Sequence, residues 1–400
     1  MTRPPGPGSS PPPGGRRVVL HVGLPKTGTT YLQALLAQHR DALLERGVLY
    51  PFVRPQAMFL GAVEVRGSHE KFGLTAADVT GTWRALCDRV REHDGPAVIS
   101  HEILGGATPD EIAHALEPLA GVDLDVVVTA RDLGRQAVAH WQEEVKLGDT
   151  RSYADFEREQ FRADVPAGPD RPHFWHAQDF AAALGRWSTA VPAHRVHLVV
   201  VPPPGAAPDA LWRRFADGCG IAEPALGVVD PAGVPPANPT LGAAAIALLR
   251  RLNAGLDGAL TPREHARLVK RGLAEGVLAA AGGTPAPRTP TALADVLVPA
   301  TRAWIAEVAS AGHPVHGDLA DLEPVLAEPG EPHPDRVDDG DLASLATAAL
   351  AAELAGRAAD QRADSQRVDS GHERTGAGGG TAVPTGAVER LRRRLGVDRG

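Results

Sequence analysis

Lysine, glycine and threonine are concentrated in one short segment near the N-terminus, residues 23–30, which read Gly-Leu-Pro-Lys-Thr-Gly-Thr-Thr. A β-branched run, Val18–Val22, precedes the segment and a helix-like stretch follows it, so the pattern predicts a strand, a turn and a helix N-terminus. Gly23 and Gly28 allow the backbone to approach a ligand closely. The helix start offers N–H groups and the positive end of a dipole, and Lys26 adds a mobile charge. The segment therefore predicts a cradle for a ligand with a terminal, doubly charged anionic group.

The two glycines have the spacing of the nucleotide P-loop, in which Gly, four residues, Gly, Lys and Ser or Thr follow one another. Thr29 stands where that loop has its lysine, and Lys26 lies three residues earlier. The hexapeptide Pro-Lys-Thr-Gly-Thr-Thr directly after a strand resembles instead the 5′-phosphosulfate-binding loop of sulfotransferases that use 3′-phosphoadenosine-5′-phosphosulfate (PAPS). The resemblance implies that six residues bind PAPS as co-substrate: Pro25, Lys26, Thr27, Gly28, Thr29 and Thr30.

A second motif strengthens the resemblance. The apolar run Val126–Ala130 is typical of a strand buried on both faces, and Arg131 follows it directly. In sulfotransferases an arginine at such a strand end binds the 3′-phosphate together with a serine eight residues later. Arg131 matches the arginine, but Ala139 stands at the serine position. Arg135 and Gln142 lie one helical turn from these two positions and are the candidate substitute donors.

The resemblance also assigns catalytic roles. Sulfuryl transfer proceeds in line, so catalysis consists mostly of positioning and electrostatic stabilisation. Lys26 is the expected cation at the leaving phosphate. Ser100-His101-Glu102 follows another strand candidate, where sulfotransferases commonly have a His or a Glu as general base. His titrates near neutral pH unaided, whereas Glu102 needs burial to raise its pKa. We expect Glu102 to be the base and His101 to orient the acceptor, with the reverse assignment open.

Composition restricts the class of protein. The chain has 400 residues and a formal net charge of −8, which argues against general nucleic-acid binding. The two cysteines, Cys87 and Cys219, have no metal or redox spacing. The 16 histidines show no ligand pattern, so we expect no metal site. Residues 1–15 lack the apolar core of a signal peptide, and no apolar run reaches the roughly 20 residues that span a bilayer. These features predict a soluble cytoplasmic protein.

Strand and helix patterns alternate along the chain, which predicts an α/β fold with a parallel sheet of about five strands, a helical C-terminal part and a disordered tail. Ligands of such sheets bind outside the carboxyl ends of the strands, where Lys26, His101, Glu102 and Arg131 all fall. The strand candidates are Val18–Val22, Val48–Tyr50, Ala97–Ser100, Leu124–Ala130 and Val196–Val201. The helix candidates are residues 29–46, 76–93, 109–119, 134–146, 177–189, 209–219, 241–256, 262–278, 292–309 and 341–357.

The predicted organisation has three parts. Residues 1–16 form a Pro/Gly/Ser-rich disordered leader, residues 17–327 form the sulfotransferase-like domain, and residues 328–400 form a low-complexity tail. The tail ends in a basic segment, residues 388–395, that suits a short solvated helix or contact with an acidic partner.

The leading interpretation is a PAPS-dependent sulfotransferase acting on a hydroxyl or amine acceptor, such as a carbohydrate, a glycolipid or a secondary metabolite. Two alternatives stay open. A P-loop kinase or NTPase conflicts with Thr29 at the lysine position, and a non-catalytic sulfotransferase-like binding module is suggested by Ala139. The acceptor, a small molecule or glycan, is not specified by the sequence, because acceptor pockets are built from variable loops such as residues 51–75 and 150–176.

Overall fold

The computed structural model describes residues 16–162, 171–234 and 240–370. These residues group into two compact units, each assembled from three stretches of chain. The sheet unit comprises the described residues within 16–133, 175–234 and 298–324. The helical unit comprises those within 134–174, 240–297 and 325–370. The range predicted as one domain, residues 17–327, is thus shared between both units. The predicted basic segment at 388–395 and all but the last residue of the predicted leader lie outside the described residues.

The sheet unit contains five parallel strands in the order β2-β1-β3-β4-β5. This confirms the predicted class, a parallel sheet of about five strands flanked by helices. The strands are β1 (Arg17–His21), β2 (Ala97–Ser100), β3 (Asp123–Ala130), β4 (Val196–Val200) and β5 (Val315–His316).

The fifth strand differs from the sequence prediction. Val48–Tyr50 was expected as a short strand, but it contributes only an isolated parallel bridge between Leu49 and Ala97. The fifth strand is instead Val315–His316, which pairs with β4. Two residues are too few to show the alternating or apolar pattern by which a strand is recognised in a sequence.

The described part of the chain contains sixteen α-helices, which lie between and after the strands. None of them is long and apolar enough to cross a membrane. A π-helix, Ala266–Leu278, continues α13. The α-helices are α1 (Thr29–Gln38), α2 (Arg40–Glu45), α3 (Ala57–Val65), α4 (Ala76–Val79), α5 (Thr82–Arg91), α6 (Pro109–Leu116), α7 (Leu133–Lys146), α8 (Tyr153–Gln160), α9 (His173–Gln178), α10 (Phe180–Ser188), α11 (Ala210–Cys219), α12 (Ala243–Leu256), α13 (Pro262–His265), α14 (Ala279–Ala281), α15 (Ala294–Ala311) and α16 (Asp339–Ser370).

Four predicted helices are divided, change type or change length in the structure. The predicted helix over residues 76–93 is divided into α4 and α5. The predicted helix over residues 29–46 is divided at His39, which ends α1 and begins α2. The predicted helix over 262–278 is mostly a π-helix. The last predicted helix, residues 341–357, extends to Ser370 as α16, so residues 358–370 are helical rather than part of a disordered stretch.

Both faces of the sheet are buried, as expected for parallel strands covered by helices. Successive residues of a strand point to opposite faces, and Val19, Val127 and Val199 share one face with α1 and α11, where Trp212 and Phe215 of α11 complete the cluster. This packing fixes the start of α1 against the sheet and therefore positions the loop that precedes it.

The strand order determines where a ligand is expected. The chain passes from β1 to β2 on one side of the sheet and then crosses to β3 on the other side of β1. In doubly wound sheets this reversal opens a crevice at the carboxyl ends of the two diverging strands. Here the diverging strands are β1 and β3, so the crevice is flanked by the loop after His21 and by Arg131.

Candidate functional site

The loop between β1 and α1 contains three residues with a left-handed backbone: Gly23 (φ 56°), Lys26 (φ 66°) and Gly28 (φ 86°). Glycine adopts this conformation freely, but for a residue with a side chain it costs about 1–2 kcal/mol. The surrounding structure must therefore hold Lys26 in place. Such outliers concentrate at functional sites, and a loop that turns back on itself in this way forms an anion-binding concavity.

The N-terminus of α1 has the properties of an anion site. Gly28 is the N-cap, no side chain caps the helix, and no acidic residue lies in its first turn. The first intrahelical bond is donated by Leu32 to the Gly28 carbonyl at 3.1 Å. The N–H groups of Thr29 and Thr30 lie in the first turn of this helix, at the positive end of its dipole.

A buried chain of polar side chains connects this loop to three strands. His21 Nδ1 lies 2.8 Å from Ser100 Oγ, and its Nε2 lies 3.3 Å from Thr129 Oγ1. Thr129 Oγ1 is 2.5 Å from Thr27 Oγ1, and Thr27 donates to the Leu24 carbonyl at 2.6 Å. The side chains of His21, Ser100, Thr129 and Thr27 are fully buried. The chain therefore runs from β2 through β1 and β3 into the loop.

The directions of the hydrogen bonds in this chain follow from the Leu24 carbonyl together with a neutral His21, because burial lowers the pKa of this ring to about 3. The Leu24 carbonyl can only accept, so the single hydroxyl proton of Thr27 points to it. Thr129 must then donate to Thr27, and His21 must donate its Nε2 proton to Thr129. This leaves His21 Nδ1 to accept from Ser100. A neutral imidazole with its proton on Nε2 satisfies all of these bonds.

The electrostatics of His21 agree with this assignment. Burial lowers the pKa of His21 to about 3, although the nearby Glu102 carboxylate favours the protonated ring. The imidazole is therefore neutral at physiological pH. One consequence is that the Thr27 hydroxyl is already used to hold the loop, so we expect Thr27, a predicted cofactor-binding residue, to contribute to the site through its backbone.

The loop is in direct contact with Glu102, which begins the turn after β2. A Cβ atom on Gly23 would lie 2.9 Å from Glu102 Cβ and 2.7 Å from Thr29 Cγ2. The closeness of these contacts requires glycine at position 23. Gln33, on the second turn of α1, donates to Glu102 Oε2 at 3.1 Å. Glu102 is thereby held between the loop and its helix, and 26% of its side chain remains exposed.

The pKa values of Glu102 and His101 are both below their usual values. Burial alone would raise the pKa of Glu102, but His101, a backbone N–H and the Gln33 amide outweigh it, so the pKa lies below its usual value. Burial therefore does not bring the pKa of Glu102 above its usual value, and Glu102 is ionised at neutral pH. Burial lowers the pKa of His101, against the opposing effect of Glu102, so its ring is neutral.

The proton of His101 can also be located. The Ile103 N–H donates to His101 Nδ1 at 3.3 Å. Because a backbone N–H can only donate, Nδ1 must carry the lone pair, and the ring proton must be on Nε2. His101 is thus a hydrogen-bond donor through Nε2, and its side chain is only 11% exposed.

Arg131 lies at the carboxyl end of β3 and contacts the loop. Its Nη1 donates to the Lys26 carbonyl at 3.3 Å. Gln178 of α9 extends its amide to within 3.5 Å of the Pro25 carbonyl. Lys26, Glu102, His101 and Arg131 therefore all follow the carboxyl ends of neighbouring strands, as the sequence analysis expected for the edge of such a sheet.

The two predicted substitute donors belong to the helical unit. Gln142 is buried, and its amide group exchanges two hydrogen bonds with the backbone of Leu241, at 3.1 and 3.3 Å. The Gln142 amide thus joins α7 to the residues before α12. Arg135 is partly buried on the same helix. A role for Arg135 or Gln142 in cofactor binding stays a prediction.

Sequence reasoning missed the residues that support the site, above all His21, Ser100, Thr129 and Gln33. His21, Ser100 and Thr129 are polar residues at or near the carboxyl ends of largely apolar strands. Their position in such strands is a signal that the sequence contains. A buried polar side chain needs a partner, so one polar residue near the end of each of three strands suggests that they pair. Their adjacency follows only from the strand order.

Two solved structures are similar to this chain, both at low sequence identity. One is a sulfotransferase from Alicyclobacillus acidocaldarius, at 16% identity and a TM-score of 0.35, with 55% of this chain and 86% of that chain covered. The other is the sulfotransferase domain from the curacin biosynthetic pathway, at 12% identity and a TM-score of 0.30, with 53% of this chain and 76% of that chain covered. No family model matches the chain, and no curated protein matches it.

Lowering the pH from 7 to 5 should destabilise the protein through His21. The unfolded chain protonates this histidine below pH 6.5, whereas the folded chain resists protonation down to about pH 3. The contribution of the neutral His21 ring to the free energy of unfolding is fully present above pH 6.5 and is lost as the pH falls towards 3. Between pH 7 and 5 the expected loss is about 2 kcal/mol, measurable by urea unfolding.

His21→Gln retains a donor and an acceptor but does not titrate, so this variant should show a smaller pH dependence than the wild type. His114→Gln, at an exposed position, is the matched control and should behave as the wild type. If the glutamine variant does not fold, NMR of the wild type gives the same information. An imidazole of His21 that titrates between pH 5 and 8 would contradict the assignment.

Proposed function

We propose that the protein is a sulfotransferase that binds PAPS and moves its sulfonate group to a hydroxyl or amine acceptor. The observation that carries the proposal is the direct contact between the loop at residues 23–30 and the Glu102 residue. Gly23 of the loop packs against Glu102 at a distance that excludes a side chain, which places a candidate base beside the candidate phosphosulfate cradle. We expect the protein to act in the cytoplasm, where PAPS is made.

The donor side of the site is assigned to the loop. We assign the sulfonate and 5′-phosphate oxygens to the N–H groups at the start of α1, because they lie at the positive end of the helix dipole and no acidic residue lies in the first turn. The Thr29 and Thr30 hydroxyls and Lys26 complete this set. Arg131 is assigned to the 3′-phosphate, which suits a guanidinium because its fork can make two parallel bonds to phosphate.

The transfer step uses Glu102 and Lys26. The acceptor oxygen attacks the sulfur in line while its proton passes to the Glu102 carboxylate. The bond between sulfur and the bridging oxygen of the 5′-phosphate breaks, and 3′,5′-bisphosphoadenosine (PAP) leaves. Lys26 stabilises the negative charge that develops on that oxygen. An ionised Glu102 can accept a proton at neutral pH, although its lowered pKa makes it a weak base.

The proton positions favour Glu102 over His101 as the base. The His101 Nδ1 lone pair already accepts from Ile103, and its Nε2 bears the proton. In this tautomer His101 can donate to the acceptor oxygen and orient it, but it has no free lone pair with which to take a proton.

Binding of PAP should depend on Arg131 through the 3′-phosphate. We expect calorimetry to give a Kd in the micromolar range, about −8 kcal/mol. Arg131→Ala should weaken PAP about 10- to 100-fold, since a charge-assisted bond is lost, and should weaken adenosine 5′-phosphate much less. Equal losses for both ligands would show that Arg131 does not contact the 3′-phosphate. Absence of PAP binding at millimolar concentration would refute the proposed function.

Removing the Lys26 charge should lower turnover far more than it weakens PAP, because the charge acts mainly on the leaving group. Turnover is measured as PAP released from PAPS with a panel of hydroxyl-bearing acceptors. Lys26→Gly is the matched control for Lys26→Ala, because glycine accepts the left-handed backbone without strain. Both variants should be equally slow. Recovery of turnover in Lys26→Gly would assign the effect to the backbone, and magnesium-dependent ATP hydrolysis by the wild type would favour an NTPase.

A further inference from the structure

Three potential metal ligands come together within the helical unit. His140 and Glu144 lie one turn apart on α7, and His173 is the first residue of α9. His140 Nε2 is 3.1 Å from His173 Nδ1 and 3.4 Å from Glu144 Oε1. All three ligand atoms lie within 4.8 Å of one another. No ligand cluster was expected from the sequence, because a His-x-x-x-Glu pair becomes a site only when His173, 33 residues from His140, completes it.

The two shorter distances match those between the ligands of a tetrahedral metal ion. Zinc binds histidine nitrogen and carboxylate oxygen at about 2.0–2.1 Å, so neighbouring ligand atoms of a tetrahedral site are about 3.3–3.4 Å apart. The separations around His140 Nε2 fall close to this value. Two imidazole nitrogens and one carboxylate oxygen are also a donor set that zinc uses with three protein ligands and one water.

The surroundings of His140 fix its ring. The side chain is 6% exposed, and its ring contacts Phe156 and Phe174 at centroid distances of 6.0 and 5.6 Å. These aromatic side chains form an apolar wall on the inner side of the cluster. His173 is exposed, so the cluster is accessible to an ion from solvent.

Arg151 orients the carboxylate. Its Nη2 lies 2.8 Å from Glu144 Oε2, which leaves Oε1 directed towards His140. Arg151 also pairs with Asp149, at 2.6 Å, and with Glu159. One guanidinium is thus shared among three carboxylates, so the local charge remains negative and favours a cation. Such partners of a ligating carboxylate are the usual means by which a metal ligand is held in position.

We propose that His140, Glu144 and His173 bind one Zn²⁺ ion, with water as the fourth ligand. The ion joins two segments of the helical unit that are 33 residues apart in sequence. The donor set excludes Mg²⁺, which prefers oxygen ligands in octahedral geometry. Because the ion binds the folded chain and not the unfolded one, it stabilises this unit.

Titration of the chelator-treated full-length chain with zinc chloride, followed by calorimetry, tests the proposal. The expected result is one tight site with a Kd of about 1 µM or below, and a melting temperature that rises with zinc but not with magnesium. Co²⁺ provides a second readout, because four-coordinate Co²⁺ absorbs visible light more strongly than the hydrated ion. Wild-type protein should develop this absorption on addition of Co²⁺.

His173→Ala is the decisive variant, because an exposed side chain can be removed without opening a cavity. It should weaken zinc at least tenfold and abolish the cobalt absorption, and Glu144→Gln should also weaken zinc. His114→Ala, an exposed histidine on α6, is the matched control and should bind as the wild type. The proposal is overturned if the wild type has no micromolar site, or if His173→Ala binds zinc as tightly as His114→Ala.

Discussion

The buried hydrogen-bond chain through His21 is the interaction on which the rest of the site depends. Its five members come from β1, β2, β3 and the loop, and with a neutral His21 each bonds in only one direction once Thr27 donates to Leu24. A neutral His21 is the central condition, and burial enforces it by lowering the pKa of the ring to about 3. Breaking one bond would leave buried polar groups unpaired, at a cost of about 1–3 kcal/mol each.

The same chain accounts for the conformation of the loop. Lys26 adopts a left-handed backbone that an isolated chain would avoid. The bonds on either side of it, from Thr27 to Leu24 and from Arg131 to the Lys26 carbonyl, hold the loop in this form. The first amides of α1 are thereby held in one arrangement relative to the loop. Preorganisation of this kind is the main source of electrostatic catalysis, because no reorganisation is needed during the reaction.

The sequence predicted the parts of the site that depend on strand ends. The loop at residues 23–30, His101-Glu102 and Arg131 each follow a recognisable apolar strand, and parallel strands bring their carboxyl ends to one edge. The pairing of His21 with Ser100 and Thr129 was not predictable, because it requires β1 to lie between β2 and β3. The direction of the Glu102 pKa shift depends on contacts with His101 and Gln33. The cluster of His140, Glu144 and His173 depends on residues that are distant in sequence.

The central claim is that this buried chain holds the loop ready for a phosphosulfate, and PAP binding to two Thr129 variants tests it most directly. Thr129→Val removes the hydroxyl that connects His21 to Thr27 while keeping the shape of the side chain. Thr129→Ser keeps the hydroxyl and removes only a methyl group. The account predicts that calorimetry will show PAP binding at least tenfold weaker in Thr129→Val and close to wild type in Thr129→Ser. Wild-type affinity in Thr129→Val would contradict the account.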